Sequence, residues 1–123
     1  MIKLVDTASW IHQMRERGDP EICRRVEELL LAGQAVWCGI VRLELWAGIG
    51  DARERKLLKH YEQVIPELDI TAEVWQAACE LGNLCRKGGK TVPASDLLIA
   101  ACARHYGVEV ESPDAHFKLL MAL

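Results

Sequence analysis

No stretch of this sequence approaches the roughly 18–20 consecutive apolar residues of a membrane-spanning helix, because charges interrupt every hydrophobic run. At the N-terminus, Asp6 stands where a secretory leader would carry its apolar core, so a cytoplasmic protein is expected. No Cys-x-x-Cys pair occurs among Cys23, Cys38, Cys79, Cys85 and Cys102, and five is an odd number. Reduced, mostly buried thiols are therefore expected, not a disulfide framework or a zinc site. The histidines are scattered at positions 12, 60, 105 and 116, with no pair at metal-binding spacing. Repeats, low-complexity tracts and linkers are also missing, so the 123 residues read as one domain, 1–123. Excess charge is lacking too: 15 basic against 18 acidic residues leave a net of −3. Taken alone, that balance argues against a partner gripped through its phosphates.

What is present is an alternation of short apolar runs with helical periodicities. Ile2–Val5 is β-branched and apolar and ends in Asp6-Thr7, a strand followed by a helix cap. Trp10, Ile11 and Met14 predict a first helix reaching about Gly18. Asp19-Pro20 predicts a second helix, carrying Ile22, Val26, Leu29 and Leu30 to a stop at Gly33. Ala35–Cys38 is a buried strand candidate, and helical spacing resumes at Ile40, Leu43 and Ala47. Asp51 with Glu54 resembles a capping box for a helix that Pro66 ends. Glu67–Ile70 is a brief third strand, and Val74 to Cys85 form one long apolar stripe closed by Gly88-Gly89. A loop over Lys90–Pro93, a helix over Ala94–Tyr106, a strand over Val108–Val110 and a short helix opened by Ser112-Pro113-Asp114 complete the chain. Strands separated by helices imply a parallel sheet covered on both faces, an α/β/α sandwich of four to five strands. In such sheets functional groups gather beyond the carboxyl ends of the strands.

Four acids stand at or near those ends. Asp6 directly follows the first strand, Glu44 lies in the helix after the second, Asp96 falls in the first turn of the Ala94–Tyr106 helix, and Asp114 closely follows the last strand. Taken singly, Asp6 and Asp114 have an ordinary explanation as helix caps, and Asp96 as a complement to the helix dipole. Glu44 is harder to explain so, because its helical neighbours Ile40, Val41, Ala47 and Gly48 are apolar or small. Asp96 likewise shares its face with Ile99, Ala100 and Ala103. An unpaired desolvated carboxylate costs several kcal/mol, and Arg42 and Arg104 point elsewhere by spacing. Convergence of the four acids on a shared cation resolves the conflict. A ring of hard oxygens without His or thiol suits Mg²⁺, or Mn²⁺, as one ion or two. Such a site fits phosphoryl chemistry, and Thr7 beside Asp6 is placed to assist.

The motifs Lys3-Leu4-Val5-Asp6-Thr7, Arg42-Leu43-Glu44-Leu45 with Gly48, Thr91 to Ala101 around Asp96, and Ser112-Pro113-Asp114-Ala115-His116-Phe117 carry a family likeness. Over essentially its whole length the chain resembles a PIN-domain ribonuclease of the VapC toxin type. The resemblance implies a parallel α/β/α sandwich and Mg²⁺-dependent cleavage of single-stranded RNA, whether tRNA or mRNA. It also implies a homodimer and inhibition by a VapB-type antitoxin whose C-terminal segment wraps the toxin. Asp6, Glu44, Asp96 and Asp114 match the family's acidic quartet. Two features depart from the pattern: Ala8 follows Thr7 where members often carry serine, displacing the hydroxyl to Ser9, and Leu123 comes soon after the final helix, so a last edge strand found in many relatives is expected to be short or absent.

Setting the four acids aside leaves 14 acidic against 15 basic residues (18 − 4 = 14), so the remaining charge is not anionic. Arg86, Lys87 and Lys90 precede the Asp96 loop and are candidate phosphate contacts, as are Arg15 and Arg17; a solvated helix end is the plainer reading. His116 lies two residues from Asp114, near enough to approach the acids. Trp10, Trp37, Trp46 and Trp75 sit in apolar context and are expected in the core or at a subunit contact, Trp46 first, rather than stacked on RNA bases. Two other functions compete with the toxin: an RNA-processing nuclease of the same fold without an antitoxin, and a catalytically inactive RNA- or protein-binding module.

Overall fold

Strand β1 (Lys3–Val5) is fully buried at its last two residues, and helix α1 (Thr7–Met14) begins at once, capped by Asp6. The computed structural model describes all residues, 1–123. Helix α2 (Pro20–Leu31) is capped by Asp19, whose Oδ1 accepts from the Glu21 and Ile22 amides, with Pro20 at the first turn. Strand β2 (Ala35–Cys38) is buried at every residue and runs straight into α3 (Gly39–Ala47). Helix α4 (Ala52–Val64) leads to the two-residue strand β3 (Glu67–Leu68). Helices α5 (Ala72–Lys87) and α6 (Ala94–Tyr106) form a pair, followed by β4 (Glu109–Glu111) and α7 (His116–Ala122).

The strands make one four-stranded sheet in the order β3-β2-β1-β4, with every pairing parallel. Lys3 pairs with Ala35 on one side and with Glu109 on the other, so β1 lies at the centre and β4 forms one edge. Because all strands point the same way, the turns after β1, β2 and β4 emerge at one end of the sheet. Helix α6 packs against α5, α3, β1 and β4, which brings its N-terminus to that end. The sequence reading of a parallel α/β sheet flanked by helices is met, with four strands. No helix is long and apolar enough to cross a membrane.

One contiguous core of 28 buried residues spans the sheet and the helices. Trp10 and Trp37, both essentially inaccessible, meet edge to face at 5.7 Å, and Trp10 also packs on Tyr61 at 5.1 Å. Such pairs contribute about 0.5–1.5 kcal/mol beyond the area they bury. That gain offsets a cost in the same cluster, since the Trp10 indole N–H is buried without an acceptor. The cysteines are all free thiols, with Cys38, Cys85 and Cys102 buried.

Several local expectations shift. Helix α1 stops at Met14, short of Gly18, where the Arg15 amide still bonds to the Ile11 carbonyl and the chain then turns. Gly18 has a different role: a Cβ there would lie 2.0 Å from the His12 carbonyl oxygen, so the turn closes against backbone. The capping box at α4 is offset by one residue, because Glu54 Oε1 accepts from Gly50 and not from Asp51. Trp75 is 52% exposed on α5, so of the two places expected for it, core or subunit contact, it does not take the core. Trp46 is half-buried, donates to Glu62 at 3.0 Å and lies under the Arg55 guanidinium. Gly18→Ala is expected to destabilise the fold by about 1–3 kcal/mol, the usual cost of forcing atoms into filled space. Thermal unfolding followed by circular dichroism measures it, and an unchanged Tm refutes the close-approach argument.

Candidate active site

The four acids differ in how they reach the carboxyl end of the sheet. Asp6 is 4% exposed and bound on both oxygens: Oδ1 accepts from the Ser9 amide at 2.8 Å and Oδ2 from the Ser112 hydroxyl at 2.5 Å. It therefore does cap α1, as the ordinary reading of this residue holds, and it also faces the other acids. Glu44 projects from the second turn of α3, half-buried, and its Oε1 accepts from the Thr7 hydroxyl at 2.7 Å. Asp96 lies in the first turn of α6 with its side chain 23% exposed, and its Oδ2 is 3.1 Å from His116 Nε2. Asp114 is the outermost, 64% exposed, with Oδ1 3.5 Å from His116 Nδ1. It does not cap α7, whose N-cap is Ala115 without a side-chain bond.

The face carrying Glu44 is less enclosed than its apolar neighbours imply, since Ala47 and Gly48 are exposed, whereas Ile99, Ala100 and Ala103 on the face of Asp96 are buried as expected. Asp6 alone is fully enclosed. The conflict between charge and burial nonetheless holds. Burial pushes the Asp6 carboxyl above the ordinary aspartate value, over the opposing pull of the Ser112 and Ser9 hydrogen bonds, and the Asp96 charge adds to the rise. Burial likewise raises Asp96, against the stabilising influence of His116, with Glu44 and Asp114 pushing it further up. Arg42, the cation nearest in sequence, is spent on Glu67 and Glu62, and Arg104 bonds to the Leu123 carbonyl. As the side chains lie, no three of the acids come together closely enough to grip an ion. The donor set still fits a hard divalent cation: carboxylate oxygens that feel one another's charge, with no Lys or Arg among them.

Two contributors escaped sequence reasoning or were underrated by it. Ser112 was read only as the start of a helix, yet its hydroxyl donates to Asp6 and accepts from the Asp114 amide at 3.0 Å, tying two of the acids together. Its signal was a hydroxyl immediately after the last strand. His116 bridges Asp96 and Asp114, and its ring stacks on Phe117 at 4.7 Å. Thr7 stands where expected, and the displaced Ser9 is buried, bonded to the Glu111 carbonyl and to Asp6 through its own amide. Arg86 and Lys87 occupy the exposed last turn of α5, the position that complements its dipole.

The surroundings are open. A recess of about 230 Å³ lies beside Glu44, between α1 and α3, with Arg15 on its wall. A second, of about 340 Å³, lies beside His116. The largest cavity, about 590 Å³, follows the outer side of β4 and reaches the acids only through Ser112 and Asp114. An open acidic face between two shallow recesses suits a polymer better than a small metabolite.

A family model for the PIN domain matches residues 3–120. The chain belongs to the PIN-domain family. Its sequence is 30% identical over 107 residues to Ribonuclease VapC21 of Mycobacterium tuberculosis, covering 85% of this chain and 78% of that protein. The fold is shared with solved toxin–antitoxin structures. VapBC2 of Rickettsia felis, crystallised with a promoter DNA fragment, superposes with a TM-score of 0.77 at 21% identity, over 97% of this chain and 92% of that one. VapBC-1 of nontypeable Haemophilus influenzae gives 0.75 at 20% identity, over 99% and 93%. This PIN domain is thus homologous to a VapC ribonuclease, and its sheet is the one on which such proteins are built.

The raised carboxyls set a pH dependence. Asp6 and Asp96 bind protons more readily folded than unfolded, so their contribution to stability is full below the ordinary aspartate range and is lost as pH rises through the raised values. In chelator, the Tm of Asp96→Asn minus that of the unmodified chain should increase as pH rises from the acid side of that range towards neutrality. A difference that does not change, or that decreases, across the same interval contradicts the site's electrostatics.

Proposed function

We propose that this PIN domain is a Mg²⁺-dependent endoribonuclease that cuts single-stranded RNA and acts as the toxin of a type II toxin–antitoxin pair. The observation that carries the reading is Asp96, a carboxylate only 23% exposed in the first turn of α6, at the sheet end that also carries Asp6, Glu44 and Asp114, with His116 and no arginine or lysine as its side-chain partner. Asp6, Glu44, Asp96 and Asp114 are the residues that would hold the cation, one ion or two, with Mn²⁺ as an alternative. Bound there, a divalent ion supplies an activated water and neutralises charge on the phosphate and the leaving oxygen.

The chain's own groups prepare that arrangement. Ser112 and the Ser9 amide fix both oxygens of Asp6, so its orientation is set before any ligand arrives. Thr7 holds Glu44 towards the site from the adjoining helix start. His116 keeps Asp96 and Asp114 within reach of one ring, and Asp114, the most exposed, is the acid free to swing inward. Hydrolysis then breaks one phosphorus–oxygen bond of the RNA and adds water across it, leaving one phosphate end and one hydroxyl end. Support for the toxin role comes from the relatedness to Ribonuclease VapC21 and from a fold shared with proteins solved as VapBC complexes. A VapB-type antitoxin and a second copy of the chain are the partners this role requires.

Purified protein should cut unstructured RNA with Mg²⁺ or Mn²⁺ and stop in chelator. Asp6→Asn or Asp96→Asn should lower the rate by more than the roughly 10–100-fold typical of losing a supporting partner alone, with circular dichroism unchanged. Thr7→Val, which removes a supporting partner, should fall within that 10–100-fold range. Cleavage that survives the aspartate changes refutes the acid assignment. Expression alone should arrest growth, and co-expression of the cognate antitoxin should relieve it; normal growth with active protein counts against the toxin role.

A further inference from the structure

The recess beside His116 is built differently from the acidic face it adjoins. Val92 and Pro93 from the loop before α6, with Leu119 and Leu120 from α7, make its apolar surface. Leu119 is 41% exposed, whereas Leu120 is buried beneath. At about 340 Å³ it falls at the small end of the range of roughly 300–1,000 Å³ found for small-molecule sites. Lys90 and Thr91, both exposed, stand on its rim. The backbone there is unspent: the Thr91 and Val92 amides and the Lys90, Thr91 and Val92 carbonyls bond to no other group of the chain. His116 belongs to both places, lining the recess while contacting Asp96 and Asp114.

The geometry points to this recess as the pocket that receives one RNA base next to the cut, with Thr91 and the free backbone groups of 91–92 reading the base edge. The inference rests on the nuclease reading above and adds the determinant of sequence preference. A phosphate seated at the acids places its neighbouring nucleotide within reach of His116, so the recess is continuous with the site along the path a strand would take. An apolar wall accepts the flat face of an unstacked base, and unpaired amides and carbonyls discriminate its polar edge, the mode by which single-stranded RNA is read. The Lys90 ammonium, with Arg86 and Lys87 close before it in sequence, complements the adjoining backbone phosphates. An isolated phosphate would be poorly served by so apolar a floor.

The test uses the full chain, isotope-labelled, titrated with the four ribonucleoside 5′-monophosphates without divalent ions. Amide signals of Thr91, Val92, His116 and Leu119 should shift saturably, with affinities differing by about threefold or more between the best and worst base. Val92→Trp, which fills the recess, should abolish the shifts. In a random single-stranded RNA pool with Mg²⁺, Thr91→Ala should reduce the preference for the base beside the cut by about threefold or more. Shifts confined to Ile11, Arg15 and Ile49, or an unchanged preference in both variants while cleavage persists, overturn the proposal. So does a recess that ignores the monophosphates and responds only to the cognate antitoxin. A wild-type protein that shows the expected shifts but cuts no RNA with Mg²⁺ or Mn²⁺ sinks the nuclease reading and supports the base pocket.

Discussion

Repulsion among like charges held in partly desolvated positions is the constraint on which this molecule turns. A parallel sheet delivers several chain turns to one edge, and here each turn brings an acid with it. Neutral donors absorb part of that cost. Hydroxyls and amides from Thr7, Ser9 and Ser112, and the ring of His116, take up the carboxylate oxygens. These bonds favour the charged forms, while burial opposes them, and at Asp6 and Asp96 burial is the larger influence. The site is thereby preorganised and under electrostatic tension at once, the condition in which a divalent cation gains most on binding.

The scaffold beneath that edge explains why so small a chain can hold the strain. Both β1 neighbours are paired in register, and the Glu111 carbonyl at the end of β4 accepts from the Asp6 amide and from the Ser9 hydroxyl. Glu111 is itself nearly inaccessible and is paired with Arg25 of α2 at 3.0 Å. Breaking such a pair by removing one partner leaves a buried charge unmatched, so the strand end is anchored from below while the acids crowd above it. The tryptophan–tyrosine cluster fills the adjoining core, and the Trp10 amide bonds to the Asp6 carbonyl at 3.2 Å, joining that cluster to the site.

The surface around the acids is neither a basic groove nor a closed pocket. Net charge outside the quartet is nearly balanced, and the cations near the site are spread: Arg15 beside one recess and Lys90 beside the other. On the proposed function, affinity for an RNA strand on such a face would rest on the cation and on a few apolar and backbone contacts more than on general counterion release. That division fits the proposed nuclease, in which chemistry and selectivity would reside in different residues, the acids at the strand ends and the loop before α6.

Much of this was legible in the sequence. Periodicity placed β2 at Ala35–Cys38 and α6 at Ala94–Tyr106 to the residue, and the acids were conspicuous because Glu44 and Asp96 sat among apolar neighbours. Local signals failed where the deciding contact was distant. Gly18 read as a helix stop, but its real constraint is the His12 carbonyl across a turn. Trp75, expected in the core or at a subunit contact, lies at the surface, because an apolar stripe does not reveal how much of it a neighbouring helix covers. Residue types and spacing alone determined the element order, the parallel sheet and which carboxylates face the same end. Only tertiary packing decided that Ser112 grips Asp6 across 106 positions, that His116 joins Asp96 to Asp114, and that a recess opens beside them. Short-range periodicity reports what a segment buries, whereas hydrogen bonds between strand ends depend on register and crossover, which exist only once the sheet has formed.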